Sequence, residues 1–269
     1  MSIASAILAK QQQIADAYTA ISGKGGTLPA TQNLTNLLTA INSIPSGNVI
    51  GVPREISSGV YQMPTSSFTF SLPNEATDLG FKAIQYVFDE CTSLTNIDLS
   101  NLTTISGASA MYGAFVKCTS LTNIDLSNLT TISGAFAMFG AFQECTSLTS
   151  IDLSNLTTIS GASAMYGAFV KCTSLTNIDL SNLTTISGAR AMFGAFQECT
   201  SLTTLYFPSL TSTGFGSNTN QFNNMLSDVT GCTVHFPSNL QSVIGSWSSV
   251  TSGFGGENTT VLFDLPATE

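Results

Sequence analysis

Cysteine recurs at positions 91, 118, 145, 172 and 199, a strict 27-residue period, and the text between copies is nearly constant. CTSLTNIDLSNLTTISGASAMYGAFVK alternates with CTSLTNIDLSNLTTISGAFAMFGAFQE, so the larger duplicated block is a 54-residue pair of units. No single unit can bury its own apolar stripe, so neighbouring units must stack and share one continuous core. Within a unit, Leu94, Ile97, Leu99, Leu102 and Ile105 give the spacing of a short period-2 strand running into an inward-turning corner. The following GASAMYGAFVK is rich in helix formers and puts Ala108, Met111, Tyr112 and Phe115 on one helical face, which predicts a short helix or turn on the outer side of each repeat.

Degenerate copies flank the array. The same 27-residue shift aligns Phe70, Leu72, Gly80, Ile84 and Phe88 with Ile97, Leu99, Gly107, Met111 and Phe115, so residues 64–90 read as a leading repeat. After Cys199, Leu202, Leu205, Phe207 and Leu210 keep the strand pattern, but the next cysteine, Cys232, follows only after a 33-residue interval and the period loosens. Residues 232–269 read as a small α/β cap: a strand at 233–236, a short helix carrying Leu240, Val243, Ile244 and Trp247, then a strand in TTVLFD. At the other end, Ile3, Ile7, Ile14, Ala17 and Ile21 fall on heptad positions interrupted by Lys10. A second helix is expected from Gln32 to Ile44, stopped by Pro45. The expected organisation is a helical assembly segment over 1–47, a connecting strand or linker over 48–63, the solenoid over 64–231 and the cap over 232–269.

The order C-T-S-L-T-x-I-D-L-S-N-L-T-T-I, with A-F-x-x-C closing each unit, resembles the BspA-like subfamily of leucine-rich repeats over roughly residues 64–236. That subfamily's units are about four residues shorter and often carry Pro where most units here carry Ser; Pro73, Pro208 and Pro237 keep it. The resemblance implies a leucine-rich-repeat solenoid and, since members are mostly bacterial surface proteins and adhesins, a ligand-binding role without cofactors. The stretch ISGKGGTLPATQNLTNLLTAINSIPSG and the C-terminal CTVHFPSNLQSVIGSW are similar to segments of structural and repeat proteins of phages and prophages of Gram-positive bacteria.

Composition narrows the function further. Only 9% of residues are charged and the net charge is −9, which disfavours nucleic acid, since a phosphate backbone would be repelled. No run approaches the ~20 apolar residues of a membrane span, so no membrane insertion is expected. The first residues lack the basic start and cleavage site of a secretory signal. Six cysteines without a C-x-x-C read as a buried column of free thiols, and with His235 the single histidine no zinc site is expected.

Two outward rows on the strand face form a candidate ligand strip: Asn96, Asn123, Ser150 and Asn177 beside Asp98, Asp125, Asp152 and Asp179. Four equivalent carboxylates supply no distinct acid and base, so no catalytic residue is expected. The same strip has a plainer reading as a solvated face that resists edge pairing. Asn101, Asn128, Asn155 and Asn182 match a glycosylation sequon but read as corner residues bonding their own backbone. Ser109, Phe136, Ser163 and Arg190 occupy the one strongly variable column, expected to be exposed. Glu90, Lys117, Glu144, Lys171 and Glu198 alternate in sign, which sets register.

The leading expectation is a virion component, such as a tail-fibre, baseplate or head-surface protein. It would dock onto other subunits or itself through the N-terminal helices and offer the solenoid to a host glycan or protein. A bacterial surface adhesin is the alternative. The charge column yields a direct test. Deleting residues 118–171 restores the alternation, whereas deleting 118–144 sets Lys117 beside Lys171. The 54-residue deletion should therefore unfold more cooperatively and remain more soluble; equal behaviour of the two deletions would show that the charges do not set register.

Overall fold

A computed structural model describes residues 54–57, 60–62, 68–71, 77–80, 83–211, 220–244, 254 and 259–268. The helices expected within residues 1–47 lie outside the described residues. The chain divides into two units, Met1–Phe68 and Thr69–Glu269. In the first, β1 (Arg54–Ser57) and β2 (Val60–Gln62) pair as an antiparallel hairpin within the stretch expected as strand or linker.

The second unit is a solenoid of stacked rungs whose core runs up the middle. One face is a sheet of β3 (Phe68–Ser71), β4 (Leu94–Asp98), β6 (Asn123–Asp125), β8 (Ser150–Asp152) and β10 (Asn177–Asp179), the last four paired in parallel. A second parallel sheet joins β5 (Thr104–Ile105), β7 (Thr131–Ile132), β9 (Thr158–Ile159) and β11 (Thr185–Ile186). At the C-terminal end β12 (Thr204–Tyr206), β13 (Thr233–Pro237) and β14 (Thr260–Leu265) form a third parallel sheet. The cap strand, the short helix (Gln241–Ile244) and the final strand thus fall where the pattern placed them. That final strand pairs in parallel with β13 and so prolongs the ladder. Thr268 ties the end back by donating its hydroxyl to the Leu210 carbonyl at 2.8 Å.

Paired strands of the central rungs keep the register of the sequence repeat, Asn96 on Asn123 and Asn177 on Ser150, so like packs on like. Leu94, Ile97, Leu99, Leu102 and Ile105 and their counterparts are buried. Phe88, Phe115, Phe142, Phe169 and Phe196 stack with centroids 5.2–5.7 Å apart, slightly more than the ~4.8 Å between hydrogen-bonded strands. Polar columns are satisfied the same way. Thr130, Thr157 and Thr184 each donate a hydroxyl to the carbonyl of the equivalent Thr one rung earlier, at 3.0–3.1 Å.

The outer wall corrects the helix expectation, because among the described repeats it is built of turns. Ser109, Gly113 and Lys117 have positive φ, as do their equivalents in each rung, so every fourth residue is left-handed and no α-helix can form. Alternate amides split their duties. Ala110, Tyr112, Ala114 and Val116 bond back three residues in β-turn fashion. Ser109, Met111, Gly113, Phe115 and Lys117 donate instead to the next rung, at 2.7–2.9 Å. The wall thus keeps the rung spacing of the strands, which a helix ~10 Å wide could not. Its inward pairs (Ala110 and Met111, Ala114 and Phe115) repeat every four residues, which over eleven positions mimics helical spacing.

Left-handed geometry costs a non-glycine residue about 1 kcal/mol or more. Inter-rung hydrogen bonds offset it at Ser109, Phe136, Ser163 and Arg190 and in the Glu/Lys column. A different constraint holds Gly134, Gly161 and Gly188, where an added Cβ would lie 2.1 Å from the carbonyl oxygen of the glycine one rung before. Gly161→Ala should therefore cost about 3 kcal/mol or more. Gly140→Ala, at φ +56° with no side-chain clash, should cost only about 1 kcal/mol. Comparable losses of melting temperature in the two variants would show that rungs do not approach this closely.

Candidate functional site

The sheet strip assembles as expected from its spacing. Asn96 faces Asn123, Ser150 faces Asn177, and Asp98, Asp125, Asp152 and Asp179 stand in one in-register column, half-buried or exposed. Asn123 donates its side-chain amide to the Asn96 carbonyl oxygen at 3.1 Å, the start of an amide ladder. The aspartates end their strands with a local turn. Asp98 Oδ1 accepts the Ser100 hydroxyl at 2.6 Å and the Ser100 amide at 3.0 Å, and those bonds hold its carboxyl below the usual range. Asp125, Asp152 and Asp179 accept the amides of Ser127, Ser154 and Ser181 at 2.9–3.1 Å. One oxygen of each carboxylate therefore shapes the corner, and the four environments match too closely to divide into acid and base.

Other candidates resolve into structure. Asn128, Asn155 and Asn182 donate to the carbonyls of Ser100, Ser127 and Ser154 one rung away at 2.6–2.7 Å, not to their own backbone as the corner reading had it. In the variable column Phe136 is 43% exposed, Arg190 is exposed and Ser109 half-buried, but Ser163 is buried, contrary to expectation. Its short side chain stands in the rung between those of Phe136 and Arg190. In the charge column Lys117 bonds Glu90 at 2.8 Å and Lys171 approaches Glu198 at 3.9 Å, both pairs lying in solvent where water and salt screen them.

The column continues beyond Asp179 with different chemistry that the strand pattern did not flag. Tyr206 occupies the next position of the Asp column and is 51% exposed. Its ring stacks on the His235 imidazole with centroids 4.5 Å apart and planes 14° off parallel. His235 Nδ1 in turn meets both Asp264 carboxylate oxygens, at 2.8 and 2.9 Å. The 27-residue shift already places Tyr where the four preceding units have Asp, which is the signal that was available. Beside Tyr206 a shallow depression of about 250 Å³ opens between β10 and β12, lined by Asn177, Asp179, Ser181 and Pro208 among others. Among the described residues no group of three or more His, Cys, Asp or Glu could hold a metal, and no helix is long and apolar enough to cross a membrane.

The sequence matches a profile of the BspA type leucine-rich-repeat region in six copies, over residues 54–187 and 85–227. Similar solved structures include the pneumococcal vaccine antigen PcpA, at 16% identity over 74% of this chain and 42% of that one, with a TM-score of 0.33. A leucine-rich-repeat protein from Bacteroides ovatus is 15% identical over 70% of this chain and 58% of its own, with a TM-score of 0.30. The chain thus spans about half the length of these solved chains. No curated protein sequence matches it.

The cysteines are all free and buried. Cys118, Cys145, Cys172 and Cys199 each donate the thiol proton to the carbonyl of a Phe one rung earlier (Phe88, Phe115, Phe142 and Phe169) at 3.0–3.2 Å. Burial pushes the thiols of Cys91 and Cys172 up to about 12 and that of Cys232 to about 11. Because unfolded thiols ionise near 9, the folded chain binds more protons above that pH. The contribution of these thiols to stability is then constant below pH ~9 and falls above it, by up to about 1.4 kcal/mol per pH unit for each thiol. Melting temperatures should drop between about pH 9 and 10.5, and a neutral alkylating reagent at about pH 8 should label these thiols only after denaturation. Rapid labelling of the folded protein would contradict the buried column.

Proposed function

Since the chain belongs to the BspA-type leucine-rich-repeat family, we propose that it is a non-enzymatic binding protein of the adhesin type whose strand face meets the ligand. The observation that carries this reading is the in-register polar face of β4, β6, β8 and β10, ending at the exposed Tyr206. It repeats the same donors and acceptors at one spacing, so a long ligand can be gripped at several rungs at once, which multiplies weak contacts. The lack of differentiated carboxylates and the inert thiols weigh against catalysis.

Its deployment is as a virion component, on a tail fibre, baseplate or head surface. The N-terminal residues 1–47 mediate assembly with itself or other subunits, and the solenoid faces a host-surface glycan or protein. The sparsely charged Ser/Thr/Asn surface and the similarity of the N-terminal stretch to phage structural proteins support this. Family membership equally favours display on a bacterial surface. Mass spectrometry of purified particles separates the two: the chain should be present in virions, and removing residues 1–47 should leave a soluble solenoid that no longer incorporates. Absence from particles together with presence on growing cells would overturn the virion reading and leave the adhesin.

A further inference from the structure

We propose that the seam between β10 and β12 is a saccharide-binding subsite with Tyr206 as its platform, an assignment that rests on the binding-protein reading above. The seam opens the unit after Cys199, the first to depart from the 27-residue period. The outer wall and second face keep their ladders across this rung: Met192 donates to the Gln221 carbonyl at 2.9 Å and Thr211 to that of Thr184 at 3.2 Å. On the strand face, by contrast, the sheet ends at β10 and a new one starts at β12. The strand ladder of that face is thus interrupted between β10 and β12. The resulting depression of about 250 Å³ lies below the ~300 Å³ where drug-sized pockets begin, a volume for one sugar ring and not for a larger cofactor.

Its chemistry matches a pyranose. Stacking on His235, itself held by Asp264, fixes the Tyr206 ring before any ligand arrives, so little entropy is lost on binding. The uncovered face of that ring looks back toward the Asp179 rung and offers a flat apolar surface for the C–H face of a sugar. Around it stand groups for the hydroxyl rim. Asp179 Oδ1 is committed to the Ser181 amide at 2.9 Å, leaving Oδ2 as an acceptor, and the Asn177 amide supplies both donor and acceptor. An organic cation would also be drawn to a carboxylate beside an aromatic face. It could not use the neutral donors of Asn177 and Ser181, and these favour the sugar.

The test is saturation-transfer NMR on the full chain with methyl α-mannopyranoside, methyl β-galactopyranoside and methyl N-acetyl-β-glucosaminide, beside tetramethylammonium. At least one pyranoside should receive saturation, strongest on the protons of one ring face. Tyr206→Phe should keep the signal, while Tyr206→Ala and Asp179→Ala should each weaken it about tenfold or more. No transfer to any pyranoside, an undiminished signal in Tyr206→Ala, or transfer to tetramethylammonium alone would overturn the assignment. Binding of the whole protein to target cells separates this from the broader reading. Binding that survives both periodate oxidation of surface glycans and Tyr206→Ala would leave the binding protein standing and remove the saccharide site.

Discussion

Backbone hydrogen bonding between rungs, at the ~4.8 Å spacing of parallel strands, is the constraint on which everything else in this solenoid depends. It applies on the strand faces and on the outer wall, where alternate amides reach the next rung. Once all sides climb at that pitch, each side chain has its own copy directly above and below. Only residues that pack well against themselves are then admitted. Phenylalanine stacks, threonine and asparagine pass a hydrogen bond from rung to rung, cysteine gives its proton to a carbonyl, and a glycine column lets backbones touch.

Charge is the exception, because a like charge cannot stack on itself without cost. The aspartates manage this by turning one oxygen into the corner, where Ser100 and its equivalents hold it. The outer column solves it by alternating Glu with Lys, and that alternation doubles the sequence period while the backbone still repeats with every rung.

Much of this was legible in the sequence because one constraint repeats many times. The 27-residue shift located the rungs, the buried Leu, Ile and Phe columns, the in-register Asn and Asp rows and the free thiols. The outer wall was not legible, since a period of four and a period of 3.6 place Ala110, Met111, Ala114 and Phe115 almost alike over so short a stretch. Nor was the burial of Ser163, since variation along its column marks tolerance of substitution and not exposure. Tyr206 was visible as a break in the Asp column, but its partner His235 becomes a neighbour only through a unit that no longer keeps the period.

The near-identity of the central rungs carries a kinetic consequence. A chain whose middle has slipped by one 54-residue block regains almost every contact, so the interior cannot tell a correct register from a displaced one. That information sits at the ends: Tyr86, whose ring lies over Gly113 where later rungs have glycine, and the three extra residues that put Gln221 into the alanine column. Zipping can start anywhere along the array, yet commitment must wait for a terminus. The rough, unrepeated ends, more than the regular body, act as the proofreaders of the folded length.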